Sequence, residues 1–220
     1  MTALGPMTAL GPMTALDRRD FSIALLAITL VVLASNILVQ YPFTHAGLGD
    51  YLTWGAFTYP FSFLVTDLAN RRFGTAGARR IVYVGFVLAV VLSILLATPR
   101  IAIASGTAFL MAQLLDIRIF ASLRNRAWWL PPFVSSVISS ALDTIVFFSI
   151  AFYCGAIPGL QTTITAILGA AGIADECVVL PWTNLAMADY IVKLLLAALA
   201  LAPYGALLRF MRPRIPQAAA

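Results

Sequence analysis

Six runs of largely apolar residues divide this chain, and most of the short connections between them carry arginines. A run of about 20 residues makes a helix of roughly 30 Å, the thickness of a bilayer's hydrocarbon core, and the helix satisfies its own backbone polar groups there. The runs lie near 21–40, 52–70, 81–99, 101–123, 133–156 and 185–208. They predict an all-α membrane protein with six transmembrane helices in one bundle, because 220 residues are too few for two. With 61% of residues hydrophobic, 10% charged and a mean hydropathy of +0.94, the chain is far more apolar than a soluble domain. A further apolar stretch, 162–173, is too short to cross and is assigned to the loop before the last helix.

Charge sets the orientation. Arg18 and Arg19 precede the first run, Arg71, Arg72, Arg79 and Arg80 separate the second from the third, Arg124 and Arg126 the fourth from the fifth, and Arg209, Arg212 and Arg214 follow the last. Alternating crossings put all of these on one side, while the opposite loops hold Arg100 with Asp50, Asp175 and Glu176. The positive-inside rule then places both termini in the cytoplasm. The pI near 9.6 and net charge of +5 do not point to nucleic acid, since the cations are scattered among the spans rather than gathered on a soluble face. Trp54 on the outer side and Trp128 and Trp129 on the inner side fit headgroup belts. Before the first run, residues 1–17 read MTALGPMTALGPMTALD, a repeat too short to stack, expected to be a disordered tail. The transmembrane domain is then 18–212, with a short tail at 213–220.

Topology leaves a polar remainder unexplained. Within 53–80, Tyr59, Pro60, Thr66 and Asp67 interrupt a segment that lipid alone would keep apolar. A proline in a helix removes a hydrogen bond and bends the axis, so Tyr59-Pro60 reads either as a binding opening or as a simple kink closed by Thr58 or Ser62. Gln113, Asp143 and Lys193 each fall roughly 12 to 18 Å into their spans and are expected to meet in the bundle interior. A charge at that depth costs about 2.5 to 3.5 kcal/mol on insertion scales, so none should face lipid. Ser136, Ser139, Ser140 and Asp143 share one helical face, either as a ligand stripe or as hydrogen-bonding glue between helices. Asp189 and Lys193, four apart with the acid first, are set for an ion pair. Asp116 is expected to pair structurally with Arg118, whereas Asp67, beside Thr66 and after Pro60, is assigned to function.

Hydrolase chemistry lacks its usual parts. His45, the only histidine, is placed in an outer loop, which leaves no Ser-His pair, no HExxH zinc site and no three-ligand metal cluster, so a paired-aspartate mechanism with Asp67 and Asp143 is the one enzyme alternative. There is no GxxxxGK[ST] phosphate loop, and Cys154 and Cys177 have no metal-like spacing, so no cofactor is expected.

Several blocks closely resemble the queuosine precursor transporter family: SNILVQ (35–40), TWGAFTYPFSFLVTDLANRRFG (53–74), ARR (78–80), QLLDIRIFASLR (113–124), WWLPP (128–132), LDTIVFFSIAF (142–152), DYIVK (189–193) and APYGALL (202–208). The resemblance implies a six-helix bacterial inner-membrane carrier of 7-deazaguanine precursors, 7-cyano-7-deazaguanine and its aminomethyl relative. It also implies a fold similar to the substrate-binding subunits of energy-coupling-factor transporters. By position, the matched polar residues are Asn36, Gln40, Thr66, Asp67, Gln113, Asp116, Asp143, Asp189 and Lys193. The run SSALD before Asp143 and the Gly-rich loop before Asp189 depart from the family pattern.

A deazaguanine offers adjacent N–H donors that one carboxylate accepts in bidentate fashion, and a carbonyl that Gln113, Asn36 or Lys193 can donate to. Asp143 or Asp67 is expected to hold the donor edge, with Tyr59, Phe61 or Phe147 against the ring and Thr66 and Asp189 completing the candidate set. The expected partners are this small molecule and the bilayer. Two other classes stand beside the solitary carrier: a substrate-binding subunit that needs a separate ATPase module, and a membrane scaffold or enzyme that transports nothing.

Overall fold

In the computed structural model of the protein, residues 15–39, 41–45, 52–96, 99–152 and 182–209 are described. They form six helices: α1 (Ala15–Leu38), α2 (Gly55–Thr58), α3 (Phe61–Leu96), α4 (Pro99–Leu123), α5 (Leu130–Phe152) and α6 (Trp182–Leu208). The repeat at 1–14, the apolar stretch at 162–173, the Gly-rich loop before Asp189, both cysteines, Asp50, Asp175, Glu176, Arg212 and Arg214 lie outside the described residues. Helix α1 opens at Ala15, so Asp17 belongs to its first turn.

Among the described residues five helices are long and apolar enough to cross a bilayer, where the sequence shows six runs. The difference lies in α3, whose 36 residues take in the second half of the second run and most of the third. At 1.5 Å per residue a straight helix of that length would reach roughly 54 Å, well past a hydrocarbon core. It is not straight, because Gly74 breaks it with φ 73 and ψ −177. A side chain would be strained in that conformation, which glycine adopts without a Cβ clash.

Contacts on the two sides of Gly74 run in opposite directions. Before it, Ser62 bonds Gln113 and Asn70 bonds the Ile117 carbonyl, so this arm ascends with α4. After it, Gly85 meets Phe109 while Val90 and Phe86 meet Gly106, so this arm descends against α4. Helix α1 repeats the pattern. Phe21 lies on Phe73 and Ser35 on Thr58, antiparallel to the first arm, while Ile28 touches Gly85 in the second. A Cβ at Gly85 would come within 3.0 Å of Ile28 and 3.3 Å of Phe109, so its absence lets α1 and α4 close on this arm.

The turn at Gly74 gathers arginines at one end of the bundle, where they do more than orient it. Arg72 is buried and bridges to Asp17 at 3.0 Å and Asp20 at 2.9 Å, tying α1 to α3. Arg71 donates to the Arg124 carbonyl at 3.0 Å, and Arg124 donates to the Asn70 carbonyl and side chain at 2.8 and 2.6 Å. Burial, then the like charge of Arg71, lowers the Arg124 pKa from its ordinary value, although a guanidinium remains charged. Gly205 near the end of α6 packs on Trp128 at this same end. Arg79 and Arg80, by contrast, are exposed.

At the other end, Pro42 and Thr53 form an antiparallel bridge, and Phe43 contacts Trp54 and Phe57. Trp54, Trp128 and Trp129 are all partly open, as interfacial indoles are. Large apolar residues line the outside at helical spacing, such as Ile23, Leu26 and Leu30 on α1 and Ile191, Leu195 and Leu199 on α6. The interior holds large apolar side chains such as Phe63, Phe109 and Phe120 together with small residues, including Ala104, Ala108 and Ala112 on α4, and the buried charges. A soluble domain reverses that arrangement; here lipid solvates the apolar rows.

Candidate functional site

Local backbone chemistry begins the site. Proline has no N–H to continue a helix, and α2 ends at Thr58, with Tyr59 and Pro60 in a turn before α3 starts. Turn hydrogen bonds from Ser62 to the Tyr59 carbonyl and from Phe63 to the Pro60 carbonyl, 2.9 and 3.1 Å, close the gap. The turn aims Tyr59 across the bundle, where its hydroxyl donates to Asp143 Oδ1 at 2.9 Å. Phe63 and Phe109 pack edge-on against the Tyr59 ring.

The other oxygen of Asp143 accepts from Lys193 Nζ at 2.7 Å. The ammonium also donates to Asp189 Oδ2 at 2.5 Å and to Thr144 Oγ1 at 3.1 Å, so its three protons are all engaged. Thr144 in turn donates to Asp189 Oδ2 at 2.8 Å, and Lys193 lies 5.6 Å from the centre of the Tyr59 ring. Two carboxylates and one ammonium thus satisfy one another between α5 and α6, with Tyr59 joining α3's approach to them.

A second carboxyl group is placed very differently. Asp67 of α3, 2% exposed, and Asp116 of α4, 0% exposed, are both buried. Ser135 of α5 donates to Asp67 Oδ1 at 3.3 Å and is also within 3.3 Å of the Pro132 carbonyl. Neither oxygen of Asp116 has a well-formed partner among the described residues. Asp116 does not turn to Arg118, which is exposed, because the helix points the acid inward and the guanidinium outward.

Between the two groups lies a cavity with an internal volume of about 10 Å³, room for about one water molecule. Pro60, Asp67, Ser136, Ser140, Lys193 and Tyr204 are among its walls. Asp143 is not; its two oxygens are engaged by Tyr59 and Lys193.

The remaining candidates divide. Gln113 is buried but does not reach Asp143 or Lys193; its Nε2 donates to Ser62 at 2.8 Å and its Oε1 has no partner among the described residues. Thr66 is fully buried, and its hydroxyl has no partner among the same residues. Asn36 donates to the Val32 carbonyl of its own helix, and Phe147 packs on Phe148; neither lines the cavity. Sequence reasoning missed Thr144, Ser135 and Tyr204. Thr144 was legible, lying four residues after Ser140 on the same polar stripe. Ser135 and Tyr204 carry no signal in their spacing, since only the approach of α3 makes them neighbours of Asp67.

Residues 53–98 and 92–207 match the family model described as "Putative vitamin uptake transporter". The chain belongs to this family. It is a multi-pass membrane protein, with the arginine-rich turn at Gly74 inside the first matched block. It is 33% identical over 208 residues to the "Queuosine precursor transporter" of Escherichia coli, covering 84% of this chain and 85% of the relative. It is 34% identical over 210 residues to the "Probable queuosine precursor transporter" of Haemophilus influenzae, covering 81% and 82%. A third relative of that description, from Bacillus subtilis, is 27% identical over 46% of this chain and 56% of its own. No solved structure matches this vitamin uptake transporter family member.

Proposed function

We propose that this protein imports queuosine precursors, 7-cyano-7-deazaguanine and its aminomethyl relative, across the bacterial inner membrane. The two arms of α3 are two crossings, making six, and the arginine end faces the cytoplasm with both termini. One observation carries the reading. A chain aligned over most of its length with proteins named for this cargo encloses a cavity walled by a carboxylate, an ammonium, two serines and a tyrosine.

That wall suits a deazaguanine. Asp67 accepts the paired N–H donors of the pyrimidine edge, and the ring carbonyl takes from Lys193 the proton that otherwise goes to Thr144, its longest contact at 3.1 Å. Asp143, Asp189 and Tyr59 position the ammonium rather than touch the ring, and Ser136 and Ser140 border the cavity between. A water-sized cavity is too small for a bicyclic base, so loading requires α5 and α6 to part from α3.

Cells lacking both precursor synthesis and their own carrier supply the test. Expression of this chain restores queuosine-modified transfer RNA at low external 7-cyano-7-deazaguanine. Absence of rescue by a protein shown to reach the membrane would overturn the reading. Reconstitution of the purified chain alone, followed by counterflow of labelled substrate, separates a solitary carrier from a subunit that depends on an ATPase.

A further inference from the structure

We propose that the Tyr204 hydroxyl recognises the edge of the deazaguanine next to the one Asp67 holds, accepting the second proton of the exocyclic amine and donating to the ring nitrogen beside it. Tyr204 is then the residue that selects a base carrying that amine. The assignment rests on the transport reading above, with Asp67 as acceptor of the donor edge, and adds the group that completes its specificity.

Tyr204 combines enclosure, an unmet hydroxyl and a place on the cavity wall. It is 0% exposed, its hydroxyl has no partner among the described residues, and it lines the cavity that Asp67 and Lys193 also line. A buried phenol ordinarily finds a partner, since its donor and its acceptor are costly to leave unmet away from water. The other tyrosines that reach into this bundle obey that rule. Tyr59 donates to Asp143 at 2.9 Å and Tyr190 to the Val137 carbonyl at 3.4 Å. Packing alone does not call for the oxygen, because Phe63, Phe109 and Phe120 fill equally enclosed positions without one. A hydroxyl kept at a cavity wall with nothing to bond is placed for a molecule that enters the cavity.

Position decides which edge of that molecule it meets. Trp128 precedes α5, Ser135 lies early in that helix and Asp143 lies farther along it. Gly205 packs on Trp128, Ser135 donates to Asp67, and Asp143 holds Lys193. Along the bundle the order is therefore Tyr204 at the arginine end, Asp67 in the middle and Lys193 toward the other end. The pyrimidine ring of a deazaguanine carries its groups in a matching order: carbonyl, N–H, exocyclic amine, acceptor nitrogen. With the N–H and one amine proton on Asp67 and the carbonyl turned to Lys193, the second amine proton and the acceptor nitrogen face the arginine end. There the one hydroxyl serves both, because a phenol accepts one hydrogen bond while it donates another.

The experiment uses the purified full chain in liposomes and counterflow of labelled 7-cyano-7-deazaguanine. Competitors are the unlabelled base and two analogues, one lacking the exocyclic amine and one with a C–H group in place of the acceptor nitrogen. The wild type favours the unlabelled base over the analogue without the amine by at least about tenfold, and Tyr204→Phe shrinks that ratio by about fivefold, the worth of one hydrogen bond. A tyrosine that only fills space would weaken both competitors equally, so an unchanged ratio in Tyr204→Phe overturns the proposal. The wild type alone supplies a second measurement, which holds even should the variant not fold. The C–H analogue inhibits at least about fivefold more weakly than the base itself, and equal inhibition by the two overturns the proposal. Either failure, with counterflow present in the wild type, leaves the transport reading standing; absence of counterflow in the wild type overturns both.

Discussion

Around Lys193, two carboxylates, a threonine and a tyrosine answer one ammonium, and every proton it carries has a destination. Around Asp67, on the other side of one small cavity, Ser135 donates at a long 3.3 Å, and among the described residues Asp116, Thr66 and Tyr204 keep unpartnered atoms. Both regions are buried and polar, yet only the first is complete. A complete network holds helices together. An incomplete one leaves lone pairs and hydroxyls for something that arrives, so burial of charge alone does not mark a binding site.

The comparison breaks most sharply at its two centres. Lys193→Leu leaves Asp143 and Asp189 buried without their cation, and the loss of stability is about 3 to 5 kcal/mol, read by thermal unfolding in detergent. An unchanged melt would mean that the network holds nothing. Asp67→Asn has the opposite signature: uptake falls more than tenfold, equivalent to at least about 1.4 kcal/mol of lost substrate interaction, while the melt is unchanged or slightly raised. If uptake by Asp67→Asn and Asp143→Asn are both normal at normal expression, the carboxylate assignment is wrong.

Smaller changes refine the contrast. Tyr59→Phe removes one hydrogen bond to a charged oxygen and lowers stability by about 1.5 to 3 kcal/mol, with a rise in KM as Lys193 loses its fixed position. At the arginine end, Arg72→Ala removes the cation that bridges buried Asp17 to Asp20 and costs about 1 to 3 kcal/mol, whereas Arg79→Ala and Arg80→Ala stay within about 0.5 kcal/mol. Equal melts for the Arg72 and Arg79 variants would return all four arginines to topology alone.

Much of the fold was legible because lipid imposes it. Run lengths located α1, α4, α5 and α6 to within several residues, since a span must be apolar and about 20 residues long. The count differed at α3, where no proline marks the turn and a single glycine with positive φ makes it. The Asp189 and Lys193 pair was readable as an i, i+4 spacing within one helix. The unpartnered state of buried Asp116 was not, because a nearby Arg118 offered a simpler local match.

Sequence by itself determined that this chain lies in a membrane, which end of the bundle carries its arginines and which few polar residues enter the hydrocarbon. Each of those follows from a local cost, the transfer of one side chain or one backbone segment into lipid. Tertiary structure decided which buried acids are satisfied and which are not. That outcome depends on which helices meet at each depth: Lys193 met Asp143, Gln113 met Ser62, and Asp116 met no hydrogen-bond partner among the described residues.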